Sequence, residues 1–295
     1  MKEKWFLIIK SISYIFAVLM FMYSFAAIAS DFHSPRTIAL GGAGHAGPLL
    51  NDSIFLNPSF ASFLPTYSFG FNYLSFVNKN DAGVYNSAIT DKGRILNVSI
   101  QDGRSEVFQA GAAYTQKFDG SYIHVGASKN FVNRFGFGIG GKFFFNSQTY
   151  AAGRDANVSM SFIVYEWLQS SLMVDNIFET EEGKSRGLLR EITLGFKANL
   201  KSIVIAYFDP HVIPSLPTNE RNGFESGLEF VFMSDIYLRV GYYQNSTIPY
   251  QSSRGQGFGT GIGWVAPRLS IDYGFSRALK PVQASAHTVG ATVYF

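Results

Sequence analysis

Arg268-Leu-Ser-Ile-Asp-Tyr-Gly-Phe-Ser276 alternates without a break. Leu269, Ile271, Tyr273 and Phe275 occupy one parity, and Ser270, Asp272, Gly274 and Ser276 the other. A period of two means a strand with two chemically different faces. The same reading applies to 135–146, where Phe135, Phe137, Ile139, Phe143 and Phe145 oppose Gly136, Gly138, Gly140, Lys142 and Asn146, with Phe144 intruding. In 257–265, Phe258, Ile262 and Trp264 alternate with Gly259, Gly261 and Gly263. Further strands read as 94–102, 106–117, 120–130, 157–168, 170–177, 188–199, 201–208, 221–232, 235–244 and 285–295, with another from about Thr66. A soluble sheet would turn a Lys- and Glu-rich face to water. Here the second face is Gly, Ser, Thr and Tyr with few charges, as in the lumen of a membrane barrel whose apolar face meets lipid.

Composition agrees. The 295 residues are 47% hydrophobic and 16% aromatic but only 15% charged, against about 25% charged in an average soluble domain. After the first 30 positions no run of about 20 apolar residues occurs, which excludes a helical membrane bundle. Abundant aromatics exclude disorder. Cysteine is absent, which removes disulfides, thiol catalysis and Cys-based metal sites.

Lys2, Lys4 and Lys10 precede an apolar stretch from Ile15 to Phe25, and Ala27-Ile28-Ala29 follows. A charged start, an apolar centre and an A-x-A site read as a secretory signal peptide over 1–29, with a membrane anchor helix as the alternative. Its removal leaves a nearly neutral chain, and no nucleic-acid partner is expected.

The links between strands alternate. Back from the C-terminus they read 278–284 (long), 266–267 (short), 245–256 (long), 233–234 (short), 209–220 (long), Leu200 (short), 178–187 (long), Gln169 (short), 147–156 (long) and 131–134 (short). Outer-membrane barrels have short periplasmic turns and longer outer loops. Phe118-Asp119-Gly120 interrupts the series as a tight outer turn. A β-like piece at 83–90 would make fifteen strands; an even number is required with both ends periplasmic, so 77–93 is assigned to the first outer loop. The expectation is an all-β, transmembrane antiparallel β-barrel of about fourteen strands, twelve being the fallback, over 66–295.

Between the cleavage site and the first strand, 30–65 is not strand-like. It contains Ser34-Pro-Arg36-Thr-Ile-Ala-Leu-Gly41-Gly42-Ala43 and then Asn51-Asp52-Ser-Ile-Phe-Leu-Asn57-Pro58-Ser59. Gly41 and Gly42 allow a sharp turn, Asp52 or Ser53 is placed to cap a short helix, and Asn57-Pro58 ends it. Ile54, Phe55, Leu56 and Phe60 are too apolar for a free tail and need a surface to cover, so the segment is expected to plug the lumen. An Arg, a G-G-A turn and an Asp-containing short helix ending in N-P resemble the N-terminal signature of FadL-type outer-membrane proteins, with Ser59 where the pattern has Ala. The FadL family transports long-chain fatty acids and hydrocarbons, and related PorV-type barrels share the signature.

The resemblance implies an outer-membrane channel for passive uptake of small hydrophobic compounds, with 30–65 as a hatch that ligand passes. It also implies no cofactor. The terminal strand ending Val293-Tyr294-Phe295 resembles the signal read by the barrel assembly machinery. The alternative is a non-transporting PorV-like scaffold for secreted or surface partners. A continuous apolar tunnel past Phe55 and Phe60 would favour transport; a sealed lumen with long ordered outer loops would favour the scaffold. At 266 residues after cleavage the chain is short for a FadL-type pocket built from outer loops.

On parity, Lys142, Glu191, Lys197, Glu225, Glu229, Arg239 and Asp272 face inward. Lys142, Lys197 or Arg239 is a candidate anchor for a fatty-acid carboxylate, set against structural pairing such as Glu229 with Arg239 across their hairpin. Val212, Ile213 and Leu216 are candidates either to capture ligand at the outer face or to pack over the rim. His33, His45, His124, His211 and His287 show no catalytic or metal-ligand spacing, and no enzyme is expected.

Overall fold

The computed structural model describes residues 32–48, 50–78, 92–131, 133–233, 235–251 and 253–295. The signal-peptide reading of 1–29 and the β-like piece at 83–90 lie outside them, as does most of the first outer loop.

Fourteen antiparallel strands close into one barrel: β1 (Tyr67–Asn78), β2 (Lys92–Asp102), β3 (Gln109–Lys117), β4 (Gly120–Phe131), β5 (Phe135–Phe145), β6 (Gly153–Tyr165), β7 (Leu168–Asp175), β8 (Glu191–Leu200), β9 (Val204–Val212), β10 (Asn222–Phe232), β11 (Ile236–Ile248), β12 (Ser253–Ala266), β13 (Leu269–Lys280) and β14 (Ala284–Tyr294). Each pairs with its sequence neighbours, and β1 closes on β14 from Ser68↔Tyr294 to Asn78↔Ala284. Closure leaves no unpaired edge, the condition for strands in lipid. Lengths of 8 to 14 residues bracket the roughly 9–11 that a tilted strand needs to cross a bilayer.

Parity sets the two faces. Along β1, Phe69 and Phe71 are exposed while Gly70, Asn72 and Leu74 are buried. Phe137, Ile139, Phe196, Leu238, Ile262 and Trp264 are each more than a third exposed on the outer face. Apolar exposure continues around the circumference, far beyond the few hundred Å² that soluble monomers expose, and lipid is the solvent that fits it. The buried face carries Asn97, Gln101, Thr115, Ser159, Ser161 and Arg239.

One end of the barrel has short links, between two and six residues, and carries the C-terminal Phe295. Links at the other end vary more. The strands at that end run further than hydrophobic alternation indicated: β13 reaches Lys280 and leaves only 281–283, so the expected long 278–284 loop is a tight turn. Likewise β11 and β12 leave only 249–252, and β9 extends to Val212. Backbone pairing continues there after the outer face has lost its run of apolar side chains. The β6–β7 turn is Glu166–Trp167, not Gln169, and β3 starts at Gln109, not at 106. Link 176–190 is long as expected and folds over the mouth. Its Arg186 lies over the Phe144 and Tyr122 rings and donates to the carbonyls of Asp119, Tyr150 and Ala151, which accounts for the inward Phe144.

Candidate functional site

Residues 32–48 and 50–64 lie inside the barrel, against the buried faces of its strands. Ser34 accepts a hydrogen bond from the Thr37 N–H and caps α1 (Pro35–Ala39), which has Pro in its first turn. Gly41 (φ 68°) and Gly42 (φ 95°) then reverse the chain in a conformation other residues resist. A 3-10 turn, Leu50–Asp52, leads into α2 (Ser53–Leu56), and a second 3-10 helix, Pro58–Phe63, leads to β1.

The inward glycines make room for this segment. A Cβ on Gly274 would lie 2.3 Å from the Pro35 carbonyl oxygen, on Gly259 1.9 Å from that of Ile38, and on Gly241 1.9 Å from the Leu40 carbonyl carbon. Across the lumen, a Cβ on Gly138 would lie 2.2 Å from the Ser59 nitrogen and on Gly126 3.3 Å from the Pro58 ring. The Gly-rich face of the strands is therefore a trough fitted to backbone.

Polar ties fix the rest. Arg36 Nε lies 3.3 Å from Glu229, and its Nη2 donates to the Tyr207 hydroxyl at 2.7 Å. The β10–β11 register sets Glu229 opposite Arg239, which donates to it at 2.6 Å and to Asp272 at 2.5 Å. Asn57 ends α2 and also caps Pro58–Phe63, accepting from the Ser59 N–H. Its Nδ2 donates to the His45 carbonyl at 2.7 Å and to Ser161 at 2.8 Å. The Ser59 hydroxyl, the departure from the family pattern, donates to Asn57 and pairs with Ser161 at 2.7 Å.

Asp52 differs from expectation. It makes no side-chain cap to α2; its carboxylate accepts from the Ser34 and Thr37 hydroxyls and ties the two halves of the segment. The helix it precedes has only four residues, and the hydroxyls of Ser34 and Thr37, at the start of α1, bond its Oδ2 instead. Burial raises the Asp52 pKa, opposed by Arg36 and by these hydrogen bonds.

The three candidate anchors separate. Arg239 is held by Glu229 and Asp272. Lys142 is held by Asp175, at 2.5 Å, and by Asn176. Both are paired structurally and are not open anchors, because burying a cation requires such partners. Among the described residues Lys197 has no carboxylate within ion-pair distance; its Nζ lies 5.9 Å from the Phe60 ring centre and 6.0 Å from that of Tyr207. Ile213, a candidate for ligand capture or rim packing, is 2% exposed and packs inward, because the pairing of β9 and β10 draws the start of the link over the lumen.

The two larger of the cavities beside the segment lie on either side of it. One, of about 80 Å³, lies toward the end with longer links and is lined by His45, Phe55, Leu56, Met173, Glu191 and Ile213, among others. The other, of about 370 Å³, opens at the short-link end beside Arg36, Asp52, Tyr237, Arg239, Asp272 and Tyr294. Phe55 lines the first, packed edge-to-face on Phe32 and His124. Phe60 packs on Phe63 and borders neither cavity. The cavities share no lining residue, so these two do not join into a continuous path past Phe55 and Phe60.

Sequence spacing also missed a cluster assembled from distant parts of the chain. His45 Nδ1 lies 2.9 Å from Asp209 Oδ2, which also accepts from the Gly44 and His45 N–H groups. Burial opposes charge on His45, but the hydrogen bond to Asp209 and the carboxylates of Asp209, Glu225 and Glu191 raise its pKa to about 9. Inward parity already indicated Glu225; Asp209 was hidden in a presumed loop. The β8–β9 ladder pauses there, between Thr193↔His211 and Phe196↔Phe208, where Pro210 has no N–H to give.

No family model matches the sequence, and no curated protein does. Solved structures do. The CymD monoaromatic hydrocarbon channel superposes with a TM-score of 0.63 at 10% identity, covering 92% of this chain and 99% of that one. The toluene transporter TbuX of Ralstonia pickettii gives 0.62 at 11% identity, covering 89% and 98%. A FadL homologue from Pseudomonas aeruginosa gives 0.60 at 10% identity, covering 91% and 99%. At such identities the likeness is one of architecture: this chain folds as a closed barrel like those of the FadL homologue and the two hydrocarbon channels.

Proposed function

We propose that the chain is an outer-membrane channel for passive uptake of small hydrophobic compounds, with residues 30–65 as the hatch. The observation that carries this reading is the segment itself: backbone seated in a glycine trough, tied by side chains, with a cavity on either side. Ligand entering beside Phe55 and leaving toward the short-link end has to displace it. The fold supports this reading, since similar structures are described as channels for toluene and other monoaromatic hydrocarbons. Monoaromatic hydrocarbons and long-chain fatty acids are the two substrate classes to compare; of the three candidate anchors, Lys197 is the one without a carboxylate partner among the described residues and so the one that suits a carboxylate. The short-link end is assigned to the periplasm.

Uptake of radiolabelled toluene and of a long-chain fatty acid by cells lacking the gene, against the complemented strain, tests the proposal. Slower uptake of either class is the expected result. Equal uptake of both transfers the barrel to the PorV-like scaffold role.

A further inference from the structure

We propose that His45, Asp209 and Glu225 form a binding site for one divalent transition-metal cation of the Zn²⁺ class, which clamps the luminal segment to the barrel wall. One donor atom from each lies within 4.8 Å of the other two. The three come from separate parts of the chain: His45 from the segment, Asp209 from β9 and Glu225 from β10. One imidazole nitrogen with carboxylate oxygens is a donor set for Zn²⁺ and its neighbours rather than for Ca²⁺ or Mg²⁺. Tetrahedral ligands at about 2.0–2.2 Å stand roughly 3.3 Å apart; the His45–Asp209 pair, at 2.9 Å, has to widen slightly, and rotation of the Glu225 side chain can close the rest.

A second observation points to a missing cation. Glu225 is 7% exposed and, among the described residues, accepts no hydrogen bond and has no ion-pair partner within 4.0 Å. Asp209 is fully buried, and its Oδ1 is also without a partner. Buried carboxylates in that state are costly unless paired or metal-bound. Even a protonated His45 leaves the trio with an excess negative charge. Glu191 adds to it, although His211 lies 3.5 Å away. Arg254 exerts an attraction on Glu225 but donates to the Glu220 carbonyl, not to the cluster. The 80 Å³ cavity opens on His45 and Glu225, which is room for water to complete the coordination. The Gly44 and His45 N–H groups hold the Asp209 carboxylate in place, as outer-shell donors do for metal ligands. Gly42 belongs to the same construction: a Cβ there would lie 2.6 Å from the Glu225 carboxyl.

The test uses the full chain purified in detergent, stripped with chelator and dialysed against Zn²⁺ alone. One ion per chain is expected, with affinity reduced about tenfold or more in Asp209→Asn and in Glu225→Gln. His287→Ala, at an exposed histidine on β14, should bind as the unaltered chain does. X-ray absorption on the Zn²⁺-loaded unaltered chain requires no variant and should show one imidazole with oxygen ligands. Substoichiometric binding, affinity unchanged in both carboxylate variants, or a spectrum without imidazole would overturn the site.

Discussion

Gly241→Ala isolates the fit between segment and wall. The added methyl would stand 1.9 Å from the Leu40 carbonyl carbon, 2.2 Å from its oxygen and 2.3 Å from the Gly41 nitrogen, where ordinary contact begins at 3.4 Å. All three are backbone atoms in a turn of positive φ, so no side chain can rotate away. Overpacking of this kind costs about 1–3 kcal/mol, and because Gly241 stays in β11 whether the segment is seated or displaced, no change in backbone entropy offsets it. That cost shifts the balance between seated and displaced segment by roughly 5- to 150-fold. Amide hydrogen exchange over 35–43 in detergent reads that shift directly, and planar-bilayer recordings read its consequence as more frequent openings. The control is Gly141→Ala on the outer face, where the methyl meets Val125 and Phe143 side chains at 3.4 and 3.6 Å and neither readout should change. Exchange in Gly241→Ala identical to that of the unaltered chain, with the barrel intact by heat-modifiable gel mobility, would refute the packing argument.

Deleting residues 32–60 should convert a closed bilayer baseline into resolvable single-channel steps for small hydrophilic ions, because the polar luminal face would then hold water; an unchanged baseline excludes a plug. Arg36→Met should destabilise the seated segment by about 3 kcal/mol, the lower end for breaking a buried pair, since Arg239 still holds Glu229. Limited proteolysis of the N-terminal segment checks it. Lys197→Met should slow fatty-acid uptake several-fold relative to toluene; equal effects on both would make Lys197 a packing residue.

The fold was legible because lipid imposes one rule on every strand. Alternation such as that of Leu269, Ile271 and Tyr273 has to continue wherever hydrocarbon touches the wall, and it ends where lipid ends. That is why alternation does not mark the strand extensions 277–280 and 245–248: ladder pairing persists there although the apolar outer row is interrupted, on β13 at Arg277. Glycine parity was visible at 136–140 and 257–263, yet its meaning depended on which backbone came to lie against it. Asn57 and Arg36 stood out through a local motif. Their partners Ser161 and Tyr207 did not, because barrel closure brings together residues more than 100 positions apart. Asp52 was read as a helix cap, a local role, when its partners lie 15 and 18 residues back.

Trp264 supplies the most direct test. It stands 44% exposed on the outer face of β12, where lipid should surround it. With Trp5 and Trp167 changed to Phe and the protein reconstituted into vesicles, its fluorescence should be quenched by lipids brominated on their acyl chains and left intact by aqueous iodide. Quenching by iodide with indifference to brominated lipid would place the aromatic face in water and contradict a lipid-bathed cylinder.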